Sequence, residues 1–482
     1  MTEVPTREVP LREVPVGALP LERLAQAVRP DRAGLFADYA AKARALVGDR
    51  VVWNVSATAS GGVAEMLMAL LAYGRGAGVD TRWLVIDGGE EFFRITKRMH
   101  NFLHGSVGDA GRLEESERRV YEAVLAAQLG QLSDRVRAGD LVLLHDPPTA
   151  GLVPGIQDLG AHAIWRSHGG ADAGNRVTDD AWSFLRPYVE KADAVIFSRA
   201  EYAPRWLDRS RGYVIPPSLD PFSPKNCDLS EEQVLATLRA AGIVAGNVGD
   251  RYRDFTRRDG SPGHMRSHSG VIMGGEMLPV GARYVLQVSR WDRLKDMAGV
   301  LAGFVSALAT LPGDVHLVLA GPRPDGAAEE PEGAQVAAEC LAAWQRLPAN
   351  QRRRVHLCSL PVDDPDENAH LVNALQRRAD LVVQKSLAEG FGLTVTESMW
   401  KSRPVLATRV GGIQDQITDD ENGLLLDDPR DLGAFSAAIS LVMADRELRD
   451  QLGAAAHARI RDDYLGDRHL GQYVELFAAL TQ

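Results

Sequence analysis

The stretch VVWNVSATASGGVAEMLMALLAYGRGAGVDTRWLVI, residues 51–86, decides the fold class. It begins with a run of β-branched and aromatic residues that is typical of a buried strand. Paired glycines at 61 and 62 follow, and the apolar residues of 63–77 then recur at helical spacing before a second apolar run begins at Trp83. A strand, a crossover helix and another strand form the repeating unit of a parallel sheet. The segment therefore predicts an α/β protein.

The same alternation continues on both sides of residues 244–275, a segment rich in Gly, Arg, Asp and Ser and poor in aliphatic residues. Its composition is typical of an exposed loop or a linker. Apolar runs that we interpret as strands lie before it at 140–144, 161–165, 194–197 and 212–215, and after it at 284–288, 315–320, 355–357, 381–384, 404–407 and 423–426.

Two doubly wound units in tandem account for this pattern. We expect an amino-terminal Rossmann-like domain over 1–275 and a carboxyl-terminal one over 276–482, whose last helix either stays there or crosses back to the first domain. Ligands of open parallel sheets bind beyond the carboxyl ends of the strands. Two such domains facing across a cleft would therefore bind their ligand in that cleft.

The first residues of the chain repeat Glu-Val-Pro at 3–5, 8–10 and 13–15. Proline at every fifth position prevents a helix and favours an extended arm over 1–20. Such an arm packs either on a sheet edge or on a second subunit, as in a homodimer, or it is a partly ordered tail.

Composition places the chain among ordinary globular proteins. Of its 482 residues, 25% are charged and 45% are hydrophobic, which excludes a disordered chain or a fibre. The net charge of −11 argues against nucleic acid as a partner bound across the surface. Three scattered cysteines, no apolar leader and no apolar run near the roughly 20 residues that cross a bilayer predict a cytoplasmic protein without a membrane span.

The segment QKSLAEGFGLTVTE, residues 384–397, follows an apolar strand and leads into a helix. Gly390 and Gly392 permit close backbone approach, and the amides at the helix start favour an anion. Because a carboxylate repels phosphate, Glu389 and Glu397 should instead accept hydrogen bonds from the hydroxyls of a diol. Eight helical residues span roughly 12 Å, which matches the separation of a hexose and a ribose joined by a diphosphate. The alternative is that Glu397 faces solvent and Glu389 caps the helix.

The segment QVSRWDRLKD, residues 287–296, comes just past the first strand of the second domain. Arg290 and Lys295 are placed there to bind a diphosphate and to neutralise the charge that grows as it leaves. The alternative is a pair of surface ion-pair residues in a strand-to-helix loop.

In the first domain, a strand leads directly into His168, where the imidazole can bind a sugar hydroxyl or organise the reacting centre. His145 competes for this role, since it too follows an apolar strand. The glycines at 61 and 62 would let a phosphate or sugar approach the helix start, or they form a plain tight turn. Because no HExxH motif or convincing DxD pair is present, we expect neither a metal nor a cofactor.

These segments resemble a known family. The spacing of Glu389 and Glu397 is similar to the E-x₇-E motif of the large family-4 group of retaining glycosyltransferases, which have the GT-B architecture of two Rossmann-like domains. His145–Pro147, Trp165–His168 and Pro216–Pro221 resemble segments of the trehalose glycosyltransferring synthases within that group. The similarity extends over most of residues 50–475.

The resemblance implies roles for the matching positions. Arg290 and Lys295 would bind the donor diphosphate, Glu397 the ribose diol and Glu389 the donor-sugar hydroxyls. His168 would lie at the reacting centre. The implied catalytic residues are therefore His168, Glu389, Arg290 and Lys295, the further donor contacts are Gly61, Gly62, Gly390, Phe391, Gly392, Leu393 and Thr394, and the acceptor contacts are His145, Asp146 and Arg166.

The function that the resemblance implies is transfer of glucose, with retention, from a nucleoside diphosphate glucose to glucose, which gives α,α-trehalose. The sugar nucleotide would be a substrate, not a cofactor. A trehalose phosphorylase and a retaining transfer to another sugar or a cyclitol are the alternatives within the enzymes. A sugar-binding protein with two α/β domains is the alternative from another class.

Overall fold

A computed structural model describes residues 11–59, 61–247, 249, 251–324 and 332–481. The chain divides into two units by its internal contacts. The first unit consists of Met1–Ser218, Glu389–Phe391 and Tyr464–Gln482, and the second consists of Leu219–Ala388 and Gly392–Asp463.

The first unit contains a seven-stranded sheet in the order β1-β3-β2-β4-β5-β6-β7, in which β1 is antiparallel to β3 and every other pair is parallel. The central strands have no exposed face, because helices cover both sides, and their residues are accordingly apolar almost throughout. The strands are β1 Arg12–Val14, β2 Val52–Ser56, β3 Thr81–Val85, β4 Leu141–His145, β5 His162–Ser167, β6 Ala194–Phe197 and β7 Gly212–Val214.

The helices of this part of the chain are α1 Leu21–Ala25, α2 Leu35–Val47, α3 Gly61–Gly76, α4 Gly89–Leu103, α5 Glu115–Ser133, α6 Val153–Asp158 and α7 Arg176–Val189, with short 3₁₀ turns at Pro147–Leu152, Ala200–Tyr202 and Arg209–Arg211.

The second unit repeats the arrangement with the order β10-β13-β12-β11-β14-β15-β16, in which only β10 is antiparallel to its neighbour among the described strands. A separate two-stranded ribbon is formed by β8 and β9. The strands are β8 Asp254–Thr256, β9 Pro262–His264, β10 Ile272–Gly274, β11 Arg283–Val288, β12 Val315–Pro322, β13 Val355–Leu360, β14 Leu381–Gln384, β15 Val405–Thr408 and β16 Leu424–Leu426.

The remaining helices are α8 Glu231–Ala240, α9 Met297–Ala307, α10 Gly333–Gln345, α11 Ala349–Arg352, α12 Pro365–Arg378, α13 Leu393–Trp400, α14 Ile413–Gln416, α15 Leu432–Ala444, α16 Arg446–Asp463 and α17 Gly466–Thr481, with a 3₁₀ turn at Arg293–Lys295. The predicted α/β class with two Rossmann-like units is confirmed by these two sheets.

The boundary between the units differs from the predicted one at 275/276. It lies at Ser218/Leu219, because α8 packs on α12 and β10 joins the second sheet. The last helix, α17, belongs to the first unit, where Tyr473, Leu476 and Phe477 share one apolar cluster with residues of β2, β4 and β5. The first ten residues of the extended arm lie outside the described residues, whereas Arg12–Val14 forms the edge strand β1.

The segment 244–275 contains many exposed residues, as its composition indicated, but it is not a free linker. Its ribbon and the residues around it are tied to the start of α12 by ion pairs. Arg257 pairs with Asp364 at 2.6 Å, and Arg258 and Arg266 pair with Asp366 and Glu367. The arginines that suggested an exposed loop thus hold this segment on the second unit.

Within the described part of the chain, every helix is either too short or too polar to cross a bilayer.

Candidate functional site

In the second unit, the buried side chain of Gln287 at the end of β11 holds two backbone segments together. Its Nε2 donates to the carbonyl of Lys295 at 2.7 Å, and its Oε1 accepts from the amide of Lys385 at 3.2 Å. Gln287 thereby fixes the turn that carries Lys295 against the end of β14. This is the carboxyl-terminal edge of the sheet, where ligands of such folds bind.

Arg290 lies in the same turn and pairs with Asp292. Its guanidinium is 3.3 Å from the carboxylate of Asp292, and 40% of the Arg290 side chain is exposed. Asp292 is itself fixed, because its Oδ1 accepts from the amide of Leu294 at 2.8 Å. The buried Trp291 holds the turn by donating from Nε1 to the carbonyl of Pro322 at 2.9 Å. An anchored and accessible guanidinium can bind phosphate oxygens in two-point fashion.

A buried cation lies behind this turn. Lys385 is 1% exposed, and its ammonium group pairs with the carboxylate of Asp296. Asp296 has φ of 48°, a left-handed conformation that is strained for a residue other than glycine, and its side chain also accepts from the amide of Gly299 at 3.1 Å. The pair therefore fixes the backbone between Lys295 and α9.

The loop before α13 requires glycine at both predicted positions, one for an unusual backbone dihedral and one for close backbone approach. Gly392 has φ of 87° and is the residue before the first turn of α13, where Leu393 and Thr394 are half-buried. A Cβ at Gly390 would lie 2.7 Å from the carbonyl oxygen of His168, which is closer than real Cβ contacts. Only glycine fits either position without strain.

Glu397 on α13 is not a solvent-facing helix residue, because it is only 5% exposed. Gln376 donates from Nε2 to its Oε2 at 3.2 Å, and the ammonium group of Lys225 lies 3.4 Å from its Oε1. A carboxylate has about four lone-pair sites, so two remain for further donors. The contacts of Lys225 and Gln376 with Glu397 were not predicted, since neither residue belongs to a motif or lies near Glu397 in sequence.

Lys401, one turn beyond Glu397, is buried in the same cluster. Its ammonium group donates to Asn226 Oδ1 at 2.9 Å, to Gln376 Oε1 at 2.7 Å and to the carbonyl of Glu397 at 3.1 Å. Burial lowers the pKa of Lys401 to about 7, against the opposing effect of Glu397.

The short segment Glu389–Phe391 is counted with the first unit. The hydroxyl of Tyr202 donates to the carbonyls of Glu389 and Gly390, at 3.1 and 2.6 Å, and Phe391 packs on the ring of Tyr464. Tyr202 is a third residue that the sequence did not reveal, because a single tyrosine outside any motif carries no distinguishing signal.

In the first unit, three polar side chains lie on the neighbouring strands β2 and β4 and just past β5. His145 Nε2 is 3.0 Å from Asn54 Oδ1, and His145 Nδ1 is 3.1 Å from His168 Nε2. The two imidazole rings are nearly parallel, with centroids 5.3 Å apart. Burial, reinforced by Arg166, lowers the pKa of His145 to about 3 and holds the pKa of His168 well below its ordinary value. Both rings are therefore neutral at neutral pH.

Asp146 orients His168 from the other side. Its Oδ1 accepts from the backbone amide of His168 at 2.8 Å, and its φ of 63° with ψ of 176° is a strained conformation that residues other than glycine rarely adopt. Burial raises the pKa of this carboxyl to about 6. Strain and a shifted pKa at the end of a parallel strand are typical of a functional site.

Two of the residues assigned to the acceptor are not placed to touch a ligand. Arg166 is fully buried, because its position in β5 directs it towards α17. It donates to the hydroxyl of Tyr473 on that helix and to the carbonyl of Ile215, which follows β7. His145 is 1% exposed and uses both ring nitrogens. Gly61 and Gly62, in contrast, are exposed at the start of α3.

The described residues contain no cluster of three or more groups that could hold a metal ion.

Comparison with known proteins identifies two matching families and several relatives. Residues 54–204 match the family described as trehalose synthase, N-terminal domain, and residues 274–459 match glycosyl transferases group 1. A trehalose synthase from Pyrococcus horikoshii is 32% identical over 439 residues, which are 91% of this chain and 92% of the relative. A trehalose phosphorylase from Pleurotus sajor-caju is 25% identical over 76% of this chain and 49% of its own length.

Among solved structures, an α,α-trehalose-phosphate synthase (UDP-forming) from Burkholderia vietnamiensis superposes with a TM-score of 0.63 at 14% identity. The superposition covers 89% of this chain and 96% of that one. At this identity the likeness shows a shared fold, the GT-B fold.

Proposed function

This chain belongs to the trehalose synthase family of glycosyltransferases, and we propose that it transfers glucose from a nucleoside diphosphate glucose to glucose to give α,α-trehalose. The observation that carries the proposal is the buried carboxylate of Glu397, which Gln376 and Lys225 hold in place while two of its lone-pair sites stay open. A ribose diol presents two hydroxyl donors to such a carboxylate. An inorganic phosphate donor has no ribose.

The diphosphate binds to the cations of the turn after β11. Arg290 presents an accessible guanidinium, and Gln287 and the Lys385–Asp296 pair fix the backbone that carries Lys295. Cations fixed before the reaction stabilise charge that develops on a leaving phosphate without having to reorganise. The loop at Gly390–Thr394 cradles the donor sugar, whose hydroxyls donate hydrogen bonds to the carboxylate of Glu389.

The reaction proceeds with retention on one face of the donor. The bond between the anomeric carbon and the diphosphate oxygen breaks, and the anomeric oxygen of the acceptor glucose forms the new bond from the same side. The acceptor proton passes to the departing diphosphate oxygen, whose negative charge Arg290 and Lys295 hold. His168 and Asp146 bind sugar hydroxyls in this scheme, and no side chain acts as a nucleophile.

The test is incubation of the protein with UDP-, ADP- or GDP-glucose, with and without free glucose. Release of nucleoside diphosphate together with a non-reducing disaccharide, both dependent on glucose, is the expected result. Retention is checked by the α,α configuration of the disaccharide in its NMR spectrum.

A trehalose phosphorylase is the second candidate, favoured by the similarity to the fungal phosphorylase. It would instead form glucose and a glucose phosphate from trehalose and inorganic phosphate, and would release no nucleotide. A sugar-binding protein would bind the sugar but would convert neither nucleoside diphosphate glucose with glucose nor trehalose with phosphate.

A further inference from the structure

Asn54, His145 and His168 form a continuous chain of hydrogen bonds across the first unit. Asn54 lies on β2, opposite Leu143 of the neighbouring β4, whose last residue is His145. Asn54 and His145 are each 1% exposed, whereas His168, just beyond β5, is partly exposed. The chain therefore runs from a buried amide to an imidazole that a ligand can reach.

The donors and acceptors along this chain are determined by its buried end. A carbonyl oxygen can only accept, so Asn54 Oδ1 requires the proton of His145 to be on Nε2. A neutral imidazole carries one proton, and His145 Nδ1 must then accept from His168 Nε2. The proton of His168 is thereby on Nε2, and its Nδ1 keeps a free lone pair.

We propose that Asn54, acting through His145, is a positioning residue that fixes the Nε2–H tautomer of His168 and so makes His168 Nδ1 the hydrogen-bond acceptor for a sugar hydroxyl. This inference rests on the proposed transfer of glucose and names the chemistry of one of its contacts. The reverse orientation of the Asn54 amide would reverse every donor in the chain, so the tautomer of His168 reports directly on Asn54.

The arrangement also separates two roles that an imidazole could have. The buried chain, with Arg166 nearby, lowers the pKa of both histidines, so His168 is a weak base. A weak base with a fixed lone pair orients a hydroxyl without removing its proton. This agrees with a reaction in which the leaving diphosphate, and not a side chain, takes the acceptor proton.

The surroundings of Asn54 allow the hydrogen-bond chain to be tested by mutation. Its Nδ2 has no hydrogen-bond partner among the described residues and lines a cavity of about 70 Å³ whose other walls are mostly apolar. Thr81 lines the same cavity, is 5% exposed and donates to the carbonyl of Leu71 at 2.9 Å. Asn54→Leu removes the acceptor for His145 at nearly constant volume, and Thr81→Val is a matched control that removes a buried hydrogen bond outside the chain.

The first measurement is the ¹H–¹⁵N long-range correlation spectrum of the full chain labelled with ¹⁵N-histidine. The wild type is expected to show the Nε2–H tautomer for both His145 and His168. Asn54→Leu should convert His168 to a mixture of tautomers, whereas Thr81→Val should leave the spectrum unchanged. A wild-type His168 protonated on Nδ1, or a His168 tautomer that does not respond to Asn54→Leu, would overturn the proposal.

The second measurement is steady-state kinetics with the nucleotide sugar found active in the first assay. Asn54→Leu should lower kcat by on the order of 10²-fold, with little change in the KM of the donor. Asn54→Asp keeps an oxygen acceptor for His145 and should recover a large part of the loss. An Asn54→Asp variant with the tautomers of the wild type and the activity of Asn54→Leu would contradict the proposed role.

The two proposals fail separately. The spectrum needs no turnover, so a wild type with the expected tautomers but no activity on any nucleoside diphosphate glucose would remove the proposed function alone. A wild type that forms the disaccharide while His168 carries its proton on Nδ1 would remove the tautomer assignment alone.

Discussion

The candidate sites of the two units differ in how their ionisable side chains are held. At the site of the first unit, burial holds His145 and His168 in the neutral form and raises the pKa of Asp146 to about 6. At the site of the second unit, cations and carboxylates lie in pairs, among them Arg290 with Asp292 and Lys385 with Asp296. One site thus consists mainly of neutral hydrogen-bonding groups and the other of charges.

Under the proposed function, each unit suits a different part of the sugar nucleotide. Neutral donors and acceptors match the hydroxyls of a hexose, which carry no charge. Fixed cations match a diphosphate, and a cation kept in a buried site needs a counter-ion or a hydrogen-bonded partner to offset its desolvation. Single substitutions can test the role of the cations in the second unit and of the buried polar groups in the first.

The largest effect is expected from removing charge in the second unit. Lys295→Ala should lower kcat by about 10²–10³-fold, because it removes a fixed cation from the leaving diphosphate. Steady-state kinetics with a nucleoside diphosphate glucose, together with a thermal melt, measures this.

Arg293→Ala is the matched control for this variant. Arg293 lies in the same 3₁₀ turn but pairs with Glu339, and both side chains are about half exposed, at 50% and 47%. Such surface pairs contribute little, so its kinetics should stay near wild type. Equal losses in both variants would show that the turn as a whole, and not the charge of Lys295, is needed.

A smaller effect is expected from pH in the first unit. Burial raises the pKa of the Asp146 carboxyl to about 6, so its charge is lost as the pH falls through about 6. If the carboxylate form is the active one, kcat/KM should decline roughly tenfold for each pH unit below that value. The measurement is a pH profile of kcat/KM between pH 5 and 8.

Asp146→Asn should lower activity at neutral pH and flatten the acidic limb, since the amide does not titrate. An acidic limb that persists unchanged in this variant would assign it to another group and weaken the contrast between the units.

The last effect is expected on stability, and not on activity, in the second unit. Burial lowers the pKa of Lys401 from 10.5 to about 7, so the unfolded chain binds more protons than the folded one between these values. The free energy of unfolding should therefore rise with pH across this window and lose that contribution as the pH falls through about 7. Denaturant titrations at several pH values measure it.

Lys401→Met removes the titrating group and serves as the reference. It should be less stable than wild type, because Asn226 and Gln376 lose a donor, and the gap should widen as the pH rises from 7 to 10. A gap that is constant with pH would mean that Lys401 keeps an ordinary pKa.

Much of the fold is predictable because its signals are local. The strand, glycine turn and helix at 51–77 are seen in the structure as β2 and α3, and the apolar run at 381–384 is β14. The boundary at Ser218 was not predictable, since it depends on the packing of α8 on α12, which no local pattern encodes.

Some residues of the candidate site are also predictable from the sequence, and others are not. Gly390, Gly392 and the turn around Arg290 stand out because a special backbone or a charge in an apolar context is visible in the sequence. Asn54 does not, because one polar residue in a buried strand resembles any other core residue. Its meaning depends on His145, which is far away in sequence and adjacent only across the sheet. The burial of Arg166 was equally hidden, since its contacts with Tyr473 on α17 and with the carbonyl of Ile215 are distant in sequence.

The return of α17 to the first unit has a consequence for how this protein is made. Arg468 donates to the carbonyls of Pro216 and Pro217, and His469 is 2.7 Å from the hydroxyl of Ser218, so the first unit contains a helix that follows the whole of the second unit in the sequence. Until that helix emerges, the apolar surface meant for Tyr473 and Phe477 stays uncovered on the nascent chain. The first unit therefore cannot complete its core until the second unit has been synthesised, and its folding intermediates expose apolar surface until then.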